Sequence, residues 1–101
     1  MSITASDFNR LGFWEDVTPE EQIPVYGMDF DDAYIIITDE LGKTPAEAKA
    51  SLIVAAYSDA DAFQWFKELK DFAALEAICK AHTPGSKELL AAIEAYELPK
   101  E

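Results

Sequence analysis

Three aspartates crowd one phenylalanine in the stretch Val25-Tyr26-Gly27-Met28-Asp29-Phe30-Asp31-Asp32-Ala33-Tyr34, between two apolar runs. Carboxylates this close can act as an acid-base pair, hold a hard divalent cation, or satisfy the free backbone N–H groups of a turn. In an extended chain Asp29 and Asp31 point to one face, with Asp32 beside them near the bend, which would begin an oxygen site. Calcium wants about six to eight oxygens, and an EF-hand loop bends back at a glycine in its sixth position. A loop starting at Asp29 has Tyr34 there, at the head of an apolar run. The stretch is therefore expected to be the polar tip of a hairpin, holding no metal and no catalytic residue.

The order apolar-apolar-Gly-Met-Asp-x-Asp over residues 25–31 resembles the strand-end aspartate pair of haloacid-dehalogenase-type phosphotransferases. The resemblance implies Asp29 as the nucleophile at phosphorus and Asp31 as the proton donor. It also implies a lysine and further acids downstream for phosphate and magnesium. It covers about seven residues: Ala33 stands in place of the usual Thr or Val, no acidic pair follows a later strand, and 101 residues are too few for that fold. Phosphoryl transfer is not expected of this chain.

Nucleophilic chemistry has one other opening, Cys79 one helical turn before His82, the only cysteine and the only histidine. Cys79 falls on the apolar stripe of its segment, which predicts a core thiol, and His82 falls where a protonated imidazole meets a helix C-terminus. There is no Gly-rich phosphate loop, no Cys-x-x-Cys and no His-x-x-x-His, so no cofactor is implied. A lone cysteine excludes an intrachain disulfide and a thiolate metal cluster, and fits a reducing cytoplasm. The opening Met1 to Arg10 lacks the cationic and apolar regions of a signal peptide, and the longest apolar run, Leu52 to Tyr57, is far shorter than a membrane helix needs. A cytoplasmic protein without membrane contact is expected.

Charge says most about partners. Twenty acids against eight bases leave a net charge of -12, and residues 1–42 hold ten of the acids with Arg10 as their single base. Such a field repels phosphates and attracts basic surfaces, so direct nucleic-acid binding is not expected and a basic protein surface is. Aromatic residues interleave with the acids at Phe13-Trp14-Glu15-Asp16 and again at Asp29-Phe30-Asp31-Asp32. Interfaces favour aromatic anchors inside charged rims, which nominates Trp14, Glu15, Asp16, Asp29, Phe30, Asp31 and Asp32 as partner-binding residues. The expected function is that of a non-catalytic inhibitor, immunity-type factor or adaptor, with carboxylates able to stand in for DNA phosphates. The alternatives are a small-molecule or catalytic pocket between sheet and helices, and a structural domain that assembles as a homodimer or larger oligomer.

The elements that must position these residues suggest a single α+β domain over residues 1–101. Residues 1–24 read as an irregular acidic arm, with a helical turn capped by Ser6 or Asp7 and ended by Gly12, and a second turn at Thr18-Pro19-Glu20-Glu21. Val, Ile and Tyr concentrate in strands at about 23–28, 33–38 and 51–57, with Asp39 to Lys43 as a turn in which Gly42 takes positive φ. Thr44-Pro45-Ala46-Glu47 has the pattern of a capping box and predicts a short helix. Apolar residues at 62, 65, 66, 69, 72 and 73 then predict a helix over about 62–81, and Ser86 starts a last helix over about 87–97. In the alternative, 62–69 is a further strand in a hairpin with 51–57. That arrangement turns Lys67 inward. Either way, a small antiparallel sheet is covered by C-terminal helices.

Overall fold

A computed structural model describes residues 2–17 and 22–98. In chain order it contains α1 (Ala5–Arg10), β1 (Trp14–Val17), β2 (Pro24–Asp29), β3 (Ala33–Asp39), β4 (Leu52–Ser58), β5 (Phe63–Leu69), α2 (Phe72–Lys80) and α3 (Lys87–Ala95). The strands form one antiparallel sheet in sequence order, so each is joined to its neighbour by a local connection. The strands expected near 33–38 and 51–57 lie at its centre as β3 and β4. Their apolar runs suit strands with neighbours on both sides.

Period-two alternation gives the sheet two unlike faces. On the inner face Met28 lies opposite Ile35, Ile35 opposite Ala56 and Ala56 opposite Trp65; one step along, Tyr26, Ile37, Val54 and Lys67 are in register. All three helices pack here. Phe8 of α1 stacks on Tyr26 at 4.1 Å and meets Phe13 and Phe72 edge-on, which ties the N-terminal helix to the sheet and to α2. Leu75 and Cys79 of α2 and Leu89 and Ile93 of α3 complete a core in which Ile35, Ile37, Val54 and Leu69 are fully buried. Both C-terminal helices start on side-chain caps: Asp71 accepts from the Ala74 N–H at 2.9 Å and Ser86 from the Leu89 N–H at 3.1 Å.

Three expectations are corrected. The helix predicted from Ala62 gives way to the alternative hairpin, and β5 replaces its first two turns. Lys67 does face the helices, but β5 is an edge strand. Lys67 is only half-buried there, and its stem can run along apolar surface while the ammonium reaches water. An inward charge at an edge also discourages further strand pairing. Second, Thr44 to Glu47 is not helical. The Thr44 hydroxyl donates to the Pro24 carbonyl at 2.6 Å instead of capping, the Ala46 carbonyl accepts from the Ile3 N–H, and Glu47 bridges to Ser2. Third, the arm over 1–24 is only partly irregular: Thr4 is the N-cap of α1, Gly12 ends it at φ +98°, and Trp14 to Val17 forms an edge strand. The second turn, at residues 18–21, lies outside the described residues.

Candidate functional site

The helices cover one face of the sheet and leave the other open. Strand register arranges the open face in three rows. The first runs Asp29, Tyr34, Tyr57 and Phe63; the second Trp14, Gly27, Ile36, Ala55 and Phe66; the third contains Asp16 opposite Val25, and Thr38, Ile53 and Glu68. Phe63 reaches the first row because a bulge between Ala56 and Tyr57 shifts the β4/β5 register, so it faces outward and not toward the helices as strict alternation would put it.

The aromatic side chains form a ladder across three strands. Tyr34 stacks on Tyr57 at 5.3 Å, Phe63 meets Tyr57 edge-on at 5.9 Å, and Phe66 follows at 6.5 Å from Phe63. Phe63 and Phe66 are more than half exposed, at 56% and 62%. At the opposite margin the Trp14 ring lies across Gly27, where even a methyl group would come within 2.3 Å of the indole. Gly27 is therefore required for space. The Trp14 Nε1–H is buried and finds no acceptor among the described residues. Between Trp14 on one side and Tyr34 and Tyr57 on the other runs a groove of about 480 Å³, floored by Val25 and Ile36 and bordered by Asp16, Val17 and Asp29.

Two hairpin turns gather acids at one end of these rows. In the β2–β3 turn the Phe30 N–H donates to the Ala33 carbonyl at 2.8 Å, leaving Asp31 and Asp32 exposed at the tip. In the β4–β5 turn Ser58 accepts from the Ala60 and Ala62 N–H groups, and Asp61 takes the left-handed conformation at φ +64°, which aspartate tolerates better than most residues. The turns are joined by the Asp59 N–H donating to the Asp32 carbonyl at 3.0 Å and the Tyr34 hydroxyl donating to Asp61 Oδ1 at 2.8 Å. The bond to Asp61, reinforced by partial desolvation and that residue's charge, pushes the Tyr34 phenol above its ordinary range.

The sign of the face is uniform. Lys67 is the single base in the five strands, and register puts it on the helix side. The open face thus carries Asp16, Asp29 and Glu68 with no base at any strand position. Among the described residues no three His, Cys, Asp or Glu side chains converge on a point that would hold a metal ion.

The nominated residues divide. Trp14, Asp16 and Asp29 border the groove, and Asp31 and Asp32 form the adjacent tip. Glu15 sits opposite Tyr26 and so points toward the other face, where burial, and after it the Glu15 charge, raises the Tyr26 phenol. Phe30 is half-buried against the core and staples the turn to it. The ladder residues Tyr34, Tyr57, Phe63 and Phe66, and Asp61, were not nominated. Their signal lay in the alternation Tyr34-x-Ile36 and Ala55-x-Tyr57, which is readable only once both runs are known to be strands. Cys79 is buried in the core, and burial alone pushes its thiol up to about 11, so at neutral pH it is protonated and unreactive.

Neither a family model, nor a curated protein, nor a solved structure gives a significant match to this chain. Among the described residues no helix is long and apolar enough to cross a membrane.

Proposed function

We propose that this chain is a non-catalytic binding protein of the cytoplasm that engages a basic protein partner through the open face of its sheet and the two acidic turns beside it. The observation that carries this reading is the aromatic ladder Tyr34, Tyr57, Phe63 and Phe66 on a sheet face with acids and no base. Apolar surface left in water on this scale favours burial against another molecule, and the surrounding carboxylates select a cationic one. An inhibitor, immunity-type factor or adaptor would use such a face, and the carboxylates of Asp29, Asp31, Asp32, Asp59 and Asp61 would oppose the cationic groups that a nucleic-acid-binding target reserves for phosphates. The interior favours a binding role over a buried polar site: the core between sheet and helices is built of apolar side chains, no polar or charged residue among those described is buried, and the cleft of about 220 Å³ beside Ala56, Trp65 and Leu90 is smaller than the groove on the open face. The test is a low-salt pull-down from the native host, then the salt dependence of the recovered complex. Affinity should fall at least tenfold between about 50 and 300 mM salt and again on reversing Asp29, Asp31 and Asp32 to lysine. A complex indifferent to both contradicts the reading.

A second reading is favoured by β5 itself, a seven-residue edge strand with two exposed phenylalanines. A symmetric contact between the open faces of two copies would bury both ladders without needing the β5 edge, where Lys67 discourages pairing. Light scattering across a concentration series separates it from the first reading, since a monomer at high micromolar concentration excludes it.

A further inference from the structure

We propose that the groove between Trp14 and the Tyr34–Tyr57 pair is a subsite for an arginine side chain of the partner, an inference that rests on the basic-partner reading and specifies its chemistry. The walls are aromatic, the floor is aliphatic at Ile36, and carboxylates stand at both ends, Asp16 level with Val25 and Asp29 level with Tyr34. Four residue steps along β2 separate those levels, about 13 Å, which matches an extended arginine with its flanking backbone. Tyr34 gives one ring face to Tyr57 on β4. Its other face is turned to the β2 side, where Asp29 is its cross-strand neighbour. The Tyr34 hydroxyl is held by Asp61, so the ring stands fixed before any ligand arrives. A guanidinium seated there stacks on tyrosine, faces the Trp14 wall and donates to Asp29, while its methylenes lie on Ile36. Guanidinium suits this site better than ammonium, because its planar fork stacks on rings and pairs with a carboxylate in one pose. No base at a strand position competes for the site, since Lys67, the single one in the five strands, is on the opposite face.

The experiment is an NMR titration of the intact chain with three capped tripeptides, Gly-Arg-Gly, Gly-Lys-Gly and Gly-Gln-Gly, with the two indole signals assigned by Trp65→Phe. The arginine probe should move the Trp14 indole and the amides of Gly27, Asp29, Ile36 and Tyr57. The lysine probe should bind more weakly, and the glutamine probe should move none of these signals. Asp29→Asn and Tyr57→Ala, each checked for an unchanged fold by its spectrum, should weaken the arginine probe about fivefold. Shifts confined to Asp31, Asp32 and Asp59 would overturn the groove assignment and leave the basic-partner reading standing. Equal response to the glutamine probe, lysine binding as tight as arginine, or no response to arginine at millimolar concentration would each overturn the subsite. The salt dependence of the recovered complex decides the wider reading independently.

Discussion

Replacing Gly27 by alanine tests how the open face is built. An added Cβ would lie 2.3 and 2.5 Å from two carbons of the Trp14 ring and 2.7 Å from the Ile35 carbonyl oxygen. All three are closer than atoms tolerate. The indole can swing away, but the carbonyl belongs to the sheet, so β2 and β3 must also separate slightly. Overpacking of this kind costs about 1–3 kcal/mol, and the lower backbone entropy of alanine in the unfolded chain returns about 0.5–1 kcal/mol. The net expectation is a loss of about 1–2 kcal/mol, which for a domain of this size lowers Tm by about 4–15 °C. Urea denaturation of Gly27→Ala measures it, with Trp14 emission followed in a Trp65→Phe background and expected to shift red as the ring leaves the sheet. In the double mutant Gly27→Ala with Trp14→Ala, the ring contacts vanish and the carbonyl contact stays. The two changes should therefore fall short of additivity by about 1 kcal/mol. Full stability and unchanged emission in Gly27→Ala would refute the placement of Trp14 over β2, and with it the wall of the groove.

Other outcomes follow from the same structure. Cys79 should resist iodoacetamide at pH 8 in the folded protein and react at the rate of unfolding in urea, whereas fast native modification would contradict its burial. Because its folded thiol is raised to about 11, its contribution to stability is complete below the unfolded value near 9 and fades as pH rises through 11. Tyr34 and Tyr26 are raised in the same direction, so their contribution should make denaturation midpoints fall further above about pH 10, the ordinary tyrosine value. Asp71→Ala and Ser86→Ala each remove a helix cap and should cost about 1 kcal/mol, additively since they start different helices. A change within error at either position would show that its helix is held by packing alone.

The antiparallel sheet, the positions of its strands β2, β3 and β4 and both C-terminal helices were legible because Val, Ile and Tyr runs and the apolar stripes through Leu75 and Leu89 are strong local signals. The segment 62–69 was not, for its apolar residues satisfy both periods over so short a window, and Lys67 favoured the wrong one. What decided it was a tertiary fact, that β5 is the sheet's edge and leaves a lysine room to reach water. The Thr44 to Glu47 pattern misled for a similar reason. A capping hydroxyl has many partners in a folded chain, and here the Pro24 carbonyl 20 residues away takes it. The site was half visible. Trp14, Asp16 and Asp29 were nominated from composition, while the ladder they face depends on cross-strand register and a bulge, neither of which is written in any one segment.

Recognition by a partner through the open aromatic face, and not through the acidity of the chain alone, is the proposal on which the others depend. Calorimetric titration of the recovered partner against the wild type and against the paired variant Phe63→Ala with Phe66→Ala tests it most directly. Both rings are over half exposed, so their loss should lower Tm by no more than about 10 °C and leave the protein folded at the assay temperature. Affinity should nevertheless fall more than tenfold at fixed salt. Affinity retained by the doubly substituted protein would contradict it.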